Sequence, residues 1–146
     1  MIAVDTNVLV YAVFSGFKEH RRAAAWLKHL AEGPRPWGLP IFCITEFIRV
    51  ATHPKVMSVP LAPDEAWKII ESLVQSPSAR VLMPGAGFLQ AFADLMKEDN
   101  VKGNLVFDAQ VAGLCLEHGI SRLLTEDRDF SRIHSLKTIR LSEPLS

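Results

Sequence analysis

Apolar and polar positions along the 146-residue chain switch repeatedly between short solid runs and longer segments with helical period. Ile2-Ala3-Val4 is an apolar run that ends at Asp5 and reads as a buried strand. Thr6 and Asn7 are turn or cap residues, and Val8 to Phe14 continues as an apolar helix. From Lys18 to Leu30 the pattern is amphipathic. Ala23, Trp26, Leu27 and Leu30 share a face, Arg21, Arg22, Lys28 and His29 lie mostly off it, and Gly33-Pro34 stops the helix. Trp37 to Phe42 is a second strand, with Pro40 bending it or marking its end. Ile44, Phe47, Ile48 and Ala51 recur at helical spacing over Ile44 to Thr52, and His53-Pro54 ends that helix. Lys55 to Leu61 is a loop.

Ala62-Pro63-Asp64-Glu65 opens the next helix, with proline in the first turn and acids favoured there by the helix dipole. Its expected buried stripe is Ala66, Ile69, Ile70, Leu73 and Val74. Ala79 to Met83 is a third strand and Gly85-Ala86-Gly87 a turn. Phe88 to Lys97 is a helix with Phe88, Leu89, Phe92, Leu95 and Met96 expected inward. Asn104 to Glu117 is a further helix closed by Gly119, Arg122 to Thr125 a fourth strand and Thr138 to Leu141 a fifth. Strands alternating with helices predict a single α/β domain over residues 1–146, with a mostly parallel sheet of about five strands flanked by helices on both faces.

Composition narrows the function classes. Lys plus Arg total 16, as do Asp plus Glu, so the formal net charge is zero and a generally basic nucleic-acid coat is excluded, though local segregation of charge is not. With 49% hydrophobic and 22% charged residues the chain is globular rather than disordered. The longest apolar run, Val8 to Phe14, falls far short of the ~20 residues of a membrane span. The N-terminus has no basic region and carries an acid at position five, so a cytoplasmic protein is expected. Cys43 and Cys115 sit in apolar surroundings and read as reduced core thiols. The histidines show no zinc-ligand spacing, and Gly85-Ala86-Gly87 lacks the rest of any phosphate-binding fingerprint.

The acids carry the chemistry. In open parallel sheets the ligand crevice lies beyond the carboxyl ends of the strands. Asp5 ends the first strand, Glu46 lies on the helix after the second, Asp108 sits early in the helix before the fourth, and Asp127 follows the fourth. Singly, each has a plain explanation: a helix cap at Asp5, a dipole-favoured acid at Asp108, an i,i+3 ion pair between Glu46 and Arg49, a solvated loop at Asp127. Together, clustered carboxylates disfavour one another's charge and call for a cation. An all-oxygen ligand set selects a hard ion, Mg²⁺ or Mn²⁺.

Val4-Asp5-Thr6-Asn7-Val8-Leu9-Val10-Tyr11, Glu46-Phe47-Ile48-Arg49, Asp108-Ala109 and Leu124-Thr125-Glu126-Asp127-Arg128-Asp129-Phe130 resemble, in order and over essentially the whole chain, the PIN domain, and within it the VapC toxins of bacterial toxin–antitoxin pairs. The resemblance implies a metal-dependent endoribonuclease with Asp5, Glu46, Asp108 and Asp127 as catalytic and metal-binding acids and Asp129 assisting. It implies supporting roles for Thr6, Asn7 and Thr125; Asn104, one helical turn before Asp108, is positioned to share its face. It also implies an RNA substrate, a VapB-like antitoxin that blocks the site, and a homodimer. The positive mean hydropathy, +0.16, agrees with apolar surface left for partners.

Substrate grip is assigned to Arg49 and Arg128, which neighbour the acids. Arg132, Lys102 and the Arg35-Pro36-Trp37 loop are weighed as phosphate and stacking contacts against an ordinary solvated face, which is preferred for them. Two rival functions remain. One is a haloacid-dehalogenase-like phosphatase with Asp5 as nucleophile, although Asn7 stands where that chemistry wants a second acid. The other is a catalytically silent binding scaffold. Residues 55–87 hold none of the four acids, and features that choose a substrate or partner are sought there.

Overall fold

The computed structural model describes all residues from Met1 to Ser146. Five strands, β1 (Ile2–Val4), β2 (Trp37–Pro40), β3 (Ala79–Leu82), β4 (Arg122–Leu124) and β5 (Lys137–Ile139), form one sheet in the order β3-β2-β1-β4-β5. Every neighbouring pair is parallel. The sheet alternates side chains between two cores, as a period-two pattern demands. Ile2, Val4, Trp37, Leu39, Leu124 and Ile139 enter one core; Ala3, Leu82 and Leu123 enter the other. Burial on both faces explains why β1 and β4 read as solid apolar runs.

The helices divide accordingly. α1 (Thr6–Val13), α2 (His20–Glu32), α3 (Ile41–Ala51) and α4 (Pro63–Val74) supply the first core, while α5 (Phe88–Glu98) and α6 (Leu105–Glu117) supply most of the second. The chain therefore winds outward from β1 through β2 to β3 along one face. It then crosses back by α5 and α6 on the other face to lay β4 beside β1. That reversal puts the ends of β1 and β4 side by side at the point where such sheets open a crevice.

The predicted architecture stands, with shifts at its edges. The second strand stops at Pro40 and α3 starts at once at Ile41, three residues before the expected Ile44. Ile41-Phe42-Cys43 is uniformly apolar because this first turn is wedged against the second core, so it shows no helical period. α1 starts at Thr6 because Asp5 itself caps it. Thr125 follows β4 rather than ending it, and β5 is Lys137–Ile139 rather than Thr138 to Leu141. The expected inward faces were too wide. On α5 only Leu95 is buried and Leu89 is 74% exposed, with Met96 exposed too; on α4 Val74 is exposed, and Ala66 and Ile70 are the buried positions.

Two glycines in the α6 region serve different needs. Gly119, at φ 69, takes the left-handed turn that ends α6. Gly113 lets α5 close onto α6: a Cβ there would stand 3.3 Å from the Phe92 backbone. Gly113→Val should therefore push the two helices apart and destabilise the fold by about 1–3 kcal/mol. A lowered urea midpoint at unchanged m-value would register this, and a midpoint equal to the native protein's would refute it.

Candidate active site

Asp5 leaves the carboxyl end of β1 with both oxygens engaged. Oδ1 accepts the Thr6 backbone N–H at 2.7 Å and faces the Cys43 thiol at 3.8 Å. Oδ2 accepts from Asn7 Nδ2 at 2.6 Å and from Thr125 Oγ1 at 2.6 Å. Asp5 thus fills the capping role its position suggested and faces the crevice as well. The Thr125 hydroxyl uses its full valence: it donates to Asp5 and accepts from Asn7 Nδ2 at 3.1 Å and from the Asp127 N–H at 3.0 Å. The Glu126 N–H, donating to Asn7 Oδ1 at 3.2 Å, fixes which way that amide points. Six residues from two chain segments, Asp5 to Asn7 and Thr125 to Asp127, are locked as one network, because β1 and β4 are neighbours in the sheet.

The other acids arrive on helices and on the loop after β4. Glu46, on the second turn of α3, is held at Oε2 by the Thr6 hydroxyl at 2.8 Å, while Arg49 approaches Oε1 at 3.5 Å. That ion pair is exposed and worth little in stability. Asp127 caps the 3₁₀ turn Arg128–Arg132 by accepting the Asp129 N–H at 2.9 Å. Asp108 projects from the first turn of α6. Asp5, Glu46, Asp108 and Asp127 line one cavity of about 310 Å³, with Thr6, Asn7 and Tyr11 beside them. The tightest grouping differs from that quartet: oxygens of Asp108, Asp127 and Asp129 lie within 4.8 Å of one another. Asp129 is exposed and does not line that cavity, but it stands beside two acids that do.

Other candidates fall elsewhere. Asn104 is exposed at the N-cap of α6 and makes no hydrogen bond to the acids. Arg128 is exposed at the start of the 3₁₀ turn, between Asp127 and Asp129. Trp37 is wholly buried in β2, so it offers no stacking surface; Arg35 lies in a cleft with His29 and Ser146 at the other end of the sheet. The Gly85-Ala86-Gly87 turn does cradle an anion, but an internal one: the Gly85 and Gly87 N–H groups donate to the Glu117 carboxylate at 3.0 Å each. Both cysteines are buried and unpaired; burial, aided by Asp5, keeps their thiols protonated, that of Cys115 pushed up to about 12. Tyr11, at the end of the first motif, lines the cavity too; Phe17, Val56 and Met57 on its wall carried no sequence signal, since single apolar residues in loops have no period.

The electrostatics of the cluster are unbalanced. Burial pushes Asp5 up to about 6 against the pull of the Thr125 and Thr6 hydrogen bonds, with Glu46 and Asp127 adding repulsion. Burial, followed by Asp127, Asp5, Asp129 and Glu46, pushes Asp108 up to about 7. Only Arg49 pairs with any of these acids. Such a set of oxygen donors, repelling one another and lacking a protein counter-charge, fits a divalent cation. The folded protein also holds these two protons more tightly than the unfolded chain, so their contribution to stability falls as pH rises from about 4 through 7. Thermal melts in chelator should show the midpoint declining over that range. Mg²⁺ or Mn²⁺ should raise it more at pH 7.5 than at pH 5, and Asp108→Asn should flatten the slope. A metal response equal at both pH values would contradict this account.

Comparison with known proteins agrees with the geometry. The chain matches the PIN domain family over residues 2–136. It is 36% identical over 137 residues to VapC ribonuclease Mb2897 of Mycobacterium bovis, covering 94% of this chain and 92% of that protein. To ribonuclease VapC33 of Mycobacterium tuberculosis it is 31% identical, covering 94% and 95%. Among solved structures, VapBC2 from Rickettsia felis bound to a promoter DNA fragment superposes with a TM-score of 0.70 at 17% identity, over 96% of this chain and 98% of that one. Mycobacterium tuberculosis VapC20, a Sarcin-Ricin loop cleaving toxin, superposes with a TM-score of 0.64 at 22% identity, over 90% and 93%. A PIN-family match spanning nearly the whole chain, with VapC ribonucleases 36% and 31% identical over 94% of it, places this protein in the PIN-domain family, on its VapC branch.

Proposed function

We propose that this protein is a divalent-cation-dependent endoribonuclease, a VapC-like toxin that hydrolyses RNA phosphodiester bonds and is held inactive by a VapB-like antitoxin. The observation that carries the reading is the convergence of Asp5, Glu46, Asp108 and Asp127 on one cavity, with Asp129 completing a tight triad of donors. Mg²⁺ or Mn²⁺ suits them, since every donor is a carboxylate oxygen. When bound, the ion supplies Lewis acidity, lowering the pKa of a water and offsetting charge on the phosphoryl oxygens. The remaining work belongs to the chain. Asp5, Glu46, Asp108 and Asp127, with Asp129 beside the last two, would hold the ion; Thr6 holds the Glu46 carboxylate in place, and Thr125 with Asn7 keep Asp5 fixed. Arg49 and Arg128, at the rim, are the phosphate contacts. Attack by water leaves a 5′-phosphate and a 3′-hydroxyl.

The phosphatase alternative meets its obstacle at Asn7. Its amide is committed to Asp5 and Thr125 and has no proton to give a leaving group. The silent scaffold has no feature in its favour. No helix is long and apolar enough to cross a membrane, and buried free thiols suit a reducing cytoplasm. Leu89 (74% exposed) and Met96 leave apolar surface on α5, and Phe107 (66% exposed) leaves more on α6 beside Phe42 and Arg49; such uncovered apolar surface supports a homodimer.

Total cellular RNA treated with the partner-free protein tests the proposal. Discrete new 5′-phosphate ends should appear with Mg²⁺ or Mn²⁺ and vanish with chelator and with Asp5→Asn. Products with 2′,3′-cyclic phosphate ends, or none from folded, metal-bound protein, would sink it. Asp127→Ala and Asp129→Ala should each lower the rate tenfold or more; full activity of Asp129→Ala would confine the ligand set to the other four acids. Phe107→Asp should shift the protein from dimer to monomer in light scattering, and an unchanged mass would dismiss that interface.

A further inference from the structure

The acid-lined cavity does not end at the acids. Its far wall, formed by Phe17, Val56 and Met57, is also a wall of a second cavity of about 430 Å³. That second cavity opens between the turn after α1 and the loop Val56 to Val59. Met57 and Phe14 belong to or pack on the first core, but folding does not account for the rest of the apolar lining. Phe17 is 37% exposed, Val56 53% and Val59 77%, an expensive display of apolar surface beside a cluster of acids. The Phe17 ring packs on Tyr11, the two centroids 5.0 Å apart and the planes tilted by 59°, which restrains the ring where it lines the gap. Ser15 and Ser58, both exposed on opposite sides of the gap, have no hydrogen-bond partner within the protein. Lys18 follows Phe17 and Lys55 precedes Val56; both are exposed, and only Lys18 has an acid near it, Glu19 at 3.9 Å.

An aromatic ring and aliphatic side chains lining one gap, two hydroxyls among them, and a lysine next in sequence to the lining on each segment match a nucleotide in each part. The flat base takes the apolar faces, its polar edge takes the hydroxyls, and its flanking phosphates take the lysines. We propose that the gap between Phe17 and the Val56–Val59 loop seats one unstacked nucleobase of the RNA, beside the nucleotide whose phosphate is cut. It thereby sets the base preference at that position. This rests on the ribonuclease reading and deepens it: a base can reach the gap only from a single strand or a loop, because in a helix its faces are already stacked.

The test uses a short single-stranded oligoribonucleotide spanning one mapped cleavage site, with each nucleotide in turn replaced by an abasic ribose. With the native protein, one abasic position adjoining the cut should lower kcat/KM by roughly tenfold or more. Phe17→Ala should lose a similar factor on the intact oligonucleotide and nothing further on that abasic one. Phe17→Tyr should keep both the rate and the sensitivity. Independent, multiplying losses from the variant and the abasic site would overturn the proposal. So would a Phe17→Ala protein that keeps its base preference but no longer binds its antitoxin, which would assign the gap to a partner's side chain. A native protein that cuts no RNA at all with Mg²⁺ or Mn²⁺ would instead overturn the ribonuclease reading itself, and the pocket with it.

Discussion

Buried like charges are the constraint around which this molecule is arranged. Asp5 and Asp108 sit where burial disfavours their ionisation, and each faces further carboxylates. Nothing in the surrounding chain neutralises them, since Arg49 touches only the outer oxygen of Glu46. A fold tolerates such a cluster only if other groups hold the carboxylates in place. Here the holding groups are neutral: the Thr6 N–H and hydroxyl, the Asn7 amide and the Thr125 hydroxyl. Neutral donors fix the geometry without cancelling the charge, so the site retains its appetite for a cation.

That arrangement depends on the winding of the sheet. Asp5 and Thr125 are 2.6 Å apart although most of the chain separates them, because the crossover through α5 and α6 returns the chain to the side of β1. The Asp5 N–H is bonded to the Leu124 carbonyl at 3.0 Å, so the network is continuous with the β1–β4 ladder. The precision of the site is inherited from strands buried on both faces, among the least deformable parts of such a fold. The acids that arrive on α6 and on the 3₁₀ turn stand outside this ladder and bear the tightest mutual approach, that of Asp108, Asp127 and Asp129.

The sequence disclosed what is periodic or polar in an apolar setting. Alternation of strands and helices gave the sheet and its helical faces, and acids stranded at the ends of apolar runs marked the crevice. It concealed two kinds of feature. Where a first turn is apolar at every position, as at Ile41-Phe42-Cys43, with Cys43 buried and the other two half-buried against the second core, no period survives to mark its start. Where an apolar residue lies outward, as at Leu89 on α5 or Val74 on α4, pattern alone counts it as core. Asp129 was legible as an acid, but its approach to Asp108 was not. Its closeness to Asp108 depends on the tight turn begun by its own N–H bond to Asp127.

The apolar wall and the acidic floor of the cleft answer different parts of one problem. A carboxylate cluster with a cation acts on any phosphodiester brought to it, since the backbone is the same at every nucleotide. Discrimination must then come from surface that touches bases, and it must adjoin the acids so that recognition and cutting fall on the same stretch of strand. Phe17, Val56 and Met57 satisfy that requirement by lining both cavities. They lie in the turn after α1 and in the loop after α3, segments that end beside the sheet's carboxyl edge without belonging to its core ladder. Met57 is anchored in the first core, but the exposed Phe17 and Val56 can change without disturbing Asp5 or Thr125. The fold thus separates a fixed chemical centre from a replaceable selecting surface.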